Sequence, residues 1–296
     1  MPEAITLVCG AHGQLGRELQ AVAPADTAVV ACSRESLDIT NPAAIERLLD
    51  AHAITAVINA AAYTAVDRAE SEPELAHAVN ATAPANLALA CAERGLRLLH
   101  VSTDFVFAGH SGKPYLPADA PSPLGVYGTS KRAGEVAVLE QAANAVVLRT
   151  GWVYSRHGSN FVKTMLGLIK ARERLAVVED QIGTPTWARG LAQCVWSLLA
   201  EPSARGIFHW SDAGACSWYD FACAIRDEAL ALRLIEHPAD IVPIPAAEYR
   251  TPAIRPAYSV LDKSLTRAVL GKAGVHWRTN LRAMLNDWVK TGGVSL

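Results

Sequence analysis

Apolar residues in the first half of the chain fall into short unbroken runs, separated by longer stretches in which they recur every three or four positions. The runs "ITLVC", "TAVVAC", "TAVIN", "RLLHVS" and "AVVLR" have strand length and no polar alternation, the pattern of strands covered on both faces of a parallel sheet. Between them, residues 14–22, 42–52, 74–94 and 127–141 carry helical spacing. Strand and helix alternate, which predicts right-handed βαβ units and an α/β fold with a doubly wound parallel sheet of Rossmann type. After Gly151 the pattern loosens: helices are expected near residues 160–171, 187–200, 217–234 and 278–289, with a short strand at "IFHW". The expected organisation is a nucleotide-binding domain over residues 1–150, rejoined by about 186–210, and a smaller mixed substrate domain over most of 151–296. Pro238, Pro243, Pro245, Pro252 and Pro256 punctuate a long irregular segment that reads as a binding loop.

Composition narrows the partners. The 296 residues are 51% apolar and 19% charged, with a net charge of −2, so the chain can bury one large core or two smaller ones. No basic stripe or block of like charge favours nucleic acid or an anionic membrane, and a small substrate is expected. The N-terminal apolar run is too short for export, and no segment approaches the roughly 18 uninterrupted apolar residues of a span. A cytoplasmic protein is expected. Cys9, Cys32, Cys91, Cys194, Cys216 and Cys223 form no CxxC pair or Cys/His cluster; they read as reduced core residues, and no metal is predicted.

The first chemical signal is "CGAHGQLGREL" directly after the first strand. Gly10, Gly13 and Gly16 suit a tight turn and close approach of backbone to a pyrophosphate, while Gln14 and Leu15 open a helix whose amides could face the phosphates. A plain strand-to-helix turn is the competing reading, and the βαβ units that follow favour the nucleotide. About 20 residues on, where an acid would hold the ribose hydroxyls of NAD, stand Ser33 and Arg34, and Arg34 could face a 2′-phosphate. In "LDIT", Asp38 and Ile39 are candidates for adenine contact, with helix capping by Asp38 or Thr40 as the alternative. His12 reads as a turn residue. The second signal is "VYGTSK", which places Tyr127 and Lys131 one helical turn apart. It follows a strand ending in Ser102, Thr103 and Asp104, at the edge where open α/β sheets bind ligands.

A strand-end hydroxyl followed by a Tyr four residues before a Lys resembles the constellation of short-chain dehydrogenase/reductases. The segments "GAHGQLGREL", "LDIT", "NAAAYTAVDRAE", "VNATAP", "STDFVF", "YGTSKRAGE", "LRTGWVY", "NFVKTML", "DQIGTPT" and "RPAYSVLD" are similar in order and spacing to the dTDP-4-dehydrorhamnose reductase family of extended members, across nearly the whole chain. The resemblance implies reduction of a dTDP-linked 4-keto sugar to dTDP-L-rhamnose, which supplies rhamnose for bacterial surface polysaccharide. NADPH is the expected donor, with NADH open as a second.

In that chemistry a ketone needs a hydride and a proton. Tyr127 is the expected acid, Lys131 is expected to favour its phenolate and to hold the nicotinamide ribose, and Thr103 to hydrogen-bond the carbonyl oxygen. By resemblance, Ala61, Ala62 and Tyr63 lie with their backbone beside the cofactor, packing of small residues under a helix being the alternative, and Thr64 and Val66 line the substrate pocket. The resemblance likewise implies sugar-nucleotide contacts for Asp104 and Trp152, with simple core packing the alternative for Trp152, and Arg255 suits the diphosphate. Asn80 is either the residue that orders a relay water or an ordinary helix residue. Two departures stand out: Ser33-Arg34 replaces an acid, and Phe105 replaces a common tyrosine. The alternatives are a nucleotide-sugar 4-epimerase or 4,6-dehydratase, for which Asp104 would serve as a second acid, and a non-catalytic NADP-sensing module, which would usually lack the Tyr or Lys retained here. Some relatives pair through a metal-bridged interface, and a homodimer is one state open to this chain.

Overall fold

A computed structural model describes residues 4–292. The first half runs β1 (Ala4–Cys9), α1 (Gln14–Ala21), β2 (Thr27–Cys32), α2 (Pro42–Ala51) and β3 (Ala56–Asn59). Two short helices follow, α3 (Val66–Ala69) and α4 (Pro73–His77), then a π-helical turn at Ala78–Thr82, α5 (Ala83–Glu93), β4 (Arg97–Thr103), α6 (Val126–Gln141) and β5 (Val146–Thr150). The second half comprises β6 (Val153–Tyr154), α7 (Phe161–Ala171), β7 (Arg174–Val178), β8 (Ile182–Gly183), β9 (Thr186–Trp187) and α8 (Ala188–Ala200). It ends with β10 (Gly206–His209), β11 (Cys216–Ser217), α9 (Trp218–Ala231), β12 (Asp240–Ile244), α10 (Ser264–Leu270) and α11 (Trp277–Lys290).

Six strands pair in the order β10-β5-β4-β3-β1-β2, all parallel. Successive residues of each strand feed opposite faces. Leu7, Val57, Leu98 and Val147 meet Ile45 of α2, Leu87 of α5 and Val138 of α6. Val8, Ile58, Leu99 and Leu148 meet Leu19 of α1 and Leu191 and Val195 of α8. This double coverage explains why the strands read as continuous apolar runs. The chain leaves β1 toward β2 on one side and returns to β3 on the other, so the sheet's topological switch point, where such folds bind ligands, lies between the carboxyl ends of β1 and β3.

A third core gathers Tyr154, Leu166, Phe221, Ile225, Trp277 and Leu285 from α7, α9, α11 and their neighbours. Buried Glu18 of α1 ties this part to the sheet: it accepts from Ser155 Oγ at 3.0 Å and from Arg189 Nε at 3.0 Å. The proline-rich segment is more ordered than its composition suggests. Pro243 sits inside β12, which pairs only with β7, so a missing N–H costs little there. Residues 74–94, which read as one helix, divide into α4, the π turn and α5. Pro84 supplies the reason, because it has no N–H for the Asn80 carbonyl in the regular helical ladder.

Candidate active site

The switch point opens into a cavity of about 520 Å³. On one wall is the turn after β1. Gly10 has φ +81°, and a Cβ there would lie 2.7 Å from the Ala61 amide nitrogen, so the backbones of the two turns touch. Gly16 packs equally closely on the Gly10 carbonyl. Gly13 is the N-cap of α1 and offers no side-chain cap, so first-turn amides remain available at the carboxyl edge. Gly13, Gln14 and Leu15 line the cavity. Gln14 Oε1 also accepts from Asn160 Nδ2 at 2.9 Å, fastening the glycine turn to the N-terminus of α7.

The strand-end and α6 residues converge on the opposite wall. Thr103, Asp104, Tyr127 and Lys131 all line the cavity. Lys131 is 2% exposed and donates from Nζ to the Val101 carbonyl at 2.7 Å. Burial lowers its pKa to about 8, with Glu135 opposing the shift. Glu135 is itself buried, accepting from Ser102 Oγ at 2.6 Å and from Arg149 at 2.8 and 2.7 Å. Tyr127 departs from expectation. Burial pushes its phenol up to about 12, against its hydrogen bond with Thr103. Lys131 gives one of its three N–H donors to the Val101 carbonyl and is attracted to Glu135, and desolvation prevails at Tyr127, which keeps its proton through the neutral range. Phe105 packs edge-on against the Tyr127 ring, centroids 5.6 Å apart.

Ala62, Thr64, Val66, Trp152 and Arg255 complete the lining among the expected residues. Trp152 has φ +51°, unusual for a bulky residue, and stacks on Trp218 at 3.4 Å between centroids. Arg255 forms two bonds to Asp67, at 3.1 and 2.7 Å, which hold the Asp67 carboxyl below its usual pKa. Arg255, Phe161 and Trp218 also border a second cavity of about 670 Å³ with Met165, Leu168 and Leu175.

Several expected residues stand back from the cavity. Ala61 packs into the core beneath, and Tyr63 donates its hydroxyl to Glu72 at 2.6 Å. Ile39 is a core residue, 7% exposed. Asp38 accepts from Thr40 N and Oγ at 2.9 and 2.7 Å, while the cap of α2 is Asn41. Asn80 is committed to structure: its amide donates to Tyr63 O at 3.0 Å and Ser130 Oγ at 3.1 Å, and its carbonyl oxygen accepts from Tyr63 N at 2.9 Å. It joins the turn after β3 to α6. Ser33 donates to Glu35, whose carboxylate lies 3.9 Å from His12 of the glycine turn. An acid therefore stands at the β2 tip two residues beyond the expected place, beside exposed Arg34. Sequence reasoning missed Glu35, Asp67 and Asn160; Asp67, inside "TAVDRAE", and Asn160, which opens "NFVKTML", lay in quoted segments, and Glu35 carried no signal. Among the described residues no group of three or more His, Cys, Asp or Glu is placed to hold a metal ion.

A dinucleotide-type glycine turn facing a Thr/Tyr/Lys wall across a switch-point cleft defines a protein of the short-chain dehydrogenase/reductase class. More narrowly, the chain belongs to the family described as the RmlD substrate binding domain, which matches residues 4–290. It is 38% identical to dTDP-4-dehydrorhamnose reductase of Escherichia coli K12, covering 97% of this chain and 99% of that one. It is 39% identical to dTDP-4-keto-6-deoxy-D-glucose reductase of Streptomyces niveus, over 93% and 94% of the two chains. Its structure resembles that of dTDP-4-dehydrorhamnose reductase from Bacillus anthracis in complex with NADP, with a TM-score of 0.91, 34% identity, and coverage of 96% and 99%.

Proposed function

We propose that the protein uses NADPH to reduce the 4-keto group of dTDP-4-dehydro-L-rhamnose, giving dTDP-L-rhamnose. The observation that carries the proposal is the convergence of Thr103, Tyr127 and Lys131 on one cavity with the glycine turn, in a chain related throughout its length to reductases of such sugars. The residues fit a dinucleotide: the Gly10–Ala61 contact and uncapped α1 leave backbone amides where a pyrophosphate would sit, and Lys131 lies within the same cavity for the ribose. When bound, reduced nicotinamide supplies the hydride. Tyr127, protonated at neutral pH, gives its proton to the oxygen that becomes the alkoxide. Thr103 supports the same oxygen. In this reading Arg255 takes the diphosphate, which requires it to share or release Asp67. Residues 1–150 with α8 and β10 form the nucleotide-binding domain in this reading, and most of the remainder serves the sugar nucleotide.

A second reading, reduction of dTDP-4-keto-6-deoxy-D-glucose, is favoured by the similarly close Streptomyces niveus relative. Incubation with NADPH and a panel of dTDP-4-keto sugars, following loss of reduced cofactor and the product's configuration, decides between them. Stoichiometric oxidation with the L-rhamnose precursor supports the proposal. Turnover without net cofactor loss would indicate an epimerase or dehydratase instead.

A further inference from the structure

Thr103 has one hydroxyl hydrogen, and its oxygen lies within hydrogen-bond reach of both the Asp104 carboxyl and the Tyr127 phenol. Its Oγ accepts from the Phe105 amide at 3.2 Å and donates to Asp104 Oδ1 at 3.2 Å. When that hydrogen goes to Asp104, none is left for a substrate carbonyl. Asp104 is placed to govern that choice. It is 3% exposed, lines the cavity, and packs so tightly on the backbone after β5 that a Cβ on Gly151 would strike its carboxylate.

We propose that Asp104 is a positioning residue that turns the Thr103 hydroxyl hydrogen toward or away from the substrate's carbonyl oxygen. With the carboxyl ionised, the hydrogen points inward to Asp104. With the carboxyl protonated, its O–H donates to Thr103 Oγ, and the freed hydrogen meets the negative charge developing on the substrate oxygen. No bond to carbon changes at Asp104, and its proton stays in place through the turnover. The proposal rests on the reduction reading given above.

The groups facing the carboxyl are Thr103 from its own strand, the Gly151 backbone after β5, Ser259 from the segment before α10, and Tyr127 from α6, with Lys131 one turn beyond Tyr127. Burial raises the Asp104 pKa to about 6, against the hydrogen bond from Ser259. The donor-competent form is therefore the one present at lower pH.

The test is the pH profile of kcat, with NADPH and sugar saturating, for the parent, Asp104→Asn, Ser259→Ala and Thr103→Val. In the parent, kcat should fall by up to about tenfold per pH unit above a limb near pH 6, distinct from any titration of Lys131 near pH 8, with KM moving less than kcat. Asp104→Asn keeps an N–H donor beside Thr103 at every pH, so the limb should vanish. Ser259→Ala removes a donor that favours the ionised carboxyl, so the limb should move to higher pH. Thr103→Val should be slow at every pH and show no limb. The proposal is overturned if the parent shows no limb, if Asp104→Asn retains it, or if Ser259→Ala leaves it in place. The Ser259 variant decides alone should Asp104→Asn fail to fold. Absence of NADPH oxidation by the parent at any pH would remove the reduction reading itself, an outcome distinct from a misplaced limb.

Discussion

Replacing Gly134 by Ala sets helix propensity against packing. Gly134 lies in the middle of α6, where Ala is intrinsically favoured by roughly 0.5–1 kcal/mol. The gain cannot be realised at this position. A Cβ would fall far inside contact distance of the Asn80 carbonyl oxygen and 3.2 Å from its carbon, at the π turn that Pro84 imposes. Helix and turn must separate by roughly 1 Å to restore ordinary contact. Overpacking of this kind costs about 1–3 kcal/mol, so the net destabilisation is about 0–2.5 kcal/mol, or a few degrees in Tm. The functional effect should be larger, because α6 carries Tyr127 and Lys131, and a displacement near 1 Å can cost on the order of 10²-fold in kcat. Thermal melts and steady-state kinetics read both quantities. Gly167→Ala in α7, where a Cβ has open space, is the control and should leave kcat unchanged. A Gly134→Ala protein as active as its parent and more stable would refute the reasoning.

Arg255→Ala should weaken substrate binding by about 10-fold to 100-fold, the worth of a charge-assisted contact, while leaving NADPH affinity unchanged in calorimetry. Equal loss of both ligands would contradict a diphosphate role. Glu35→Gln should shift the NADPH to NADH ratio of dissociation constants toward NADPH by removing a negative charge beside Ser33, and Arg34→Ala should shift it the other way; unmoved ratios would place the discrimination elsewhere. His209, buried and beside Arg149, has its pKa lowered to about 4. Protonation therefore favours the unfolded chain, and its contribution to stability is lost as pH falls from about 6.5 toward 4, at up to about 1.4 kcal/mol per pH unit. Denaturant titrations across that window should be less steep in pH for His209→Gln, and an identical slope would show that His209 is not the group responsible.

The parallel sheet was legible because its strands are covered on both faces, so "TAVIN" and "AVVLR" needed no further context. The long helices were legible to within a few residues for the same reason, since each presents an apolar face to one core. The π turn was not, because its cause is one missing N–H at Pro84 acting on a carbonyl four residues earlier. Paired strands as short as β6 and β9, two residues each, carry no periodicity at all. In the site, the residues that line the cavity were mostly those on motif positions at strand ends. Those reached by folding alone escaped: Asn160 meets Gln14 across 146 positions, and Asp67 meets Arg255 across 188. The ionisation of Tyr127 was misjudged because burial of the phenol, which spacing does not reveal, outweighs its charged and hydrogen-bonding neighbours. Spacing shows that two groups can meet, and only the packed surroundings show whether they do.

The most direct test of the central claim is single-turnover oxidation of bound NADPH by dTDP-4-dehydro-L-rhamnose, comparing the parent with Tyr127→Phe. The account predicts rapid stoichiometric oxidation in the parent and a rate lower by roughly 10²-fold to 10⁴-fold in the variant, with substrate and cofactor affinities retained. A variant that oxidises NADPH at the parental rate would contradict it.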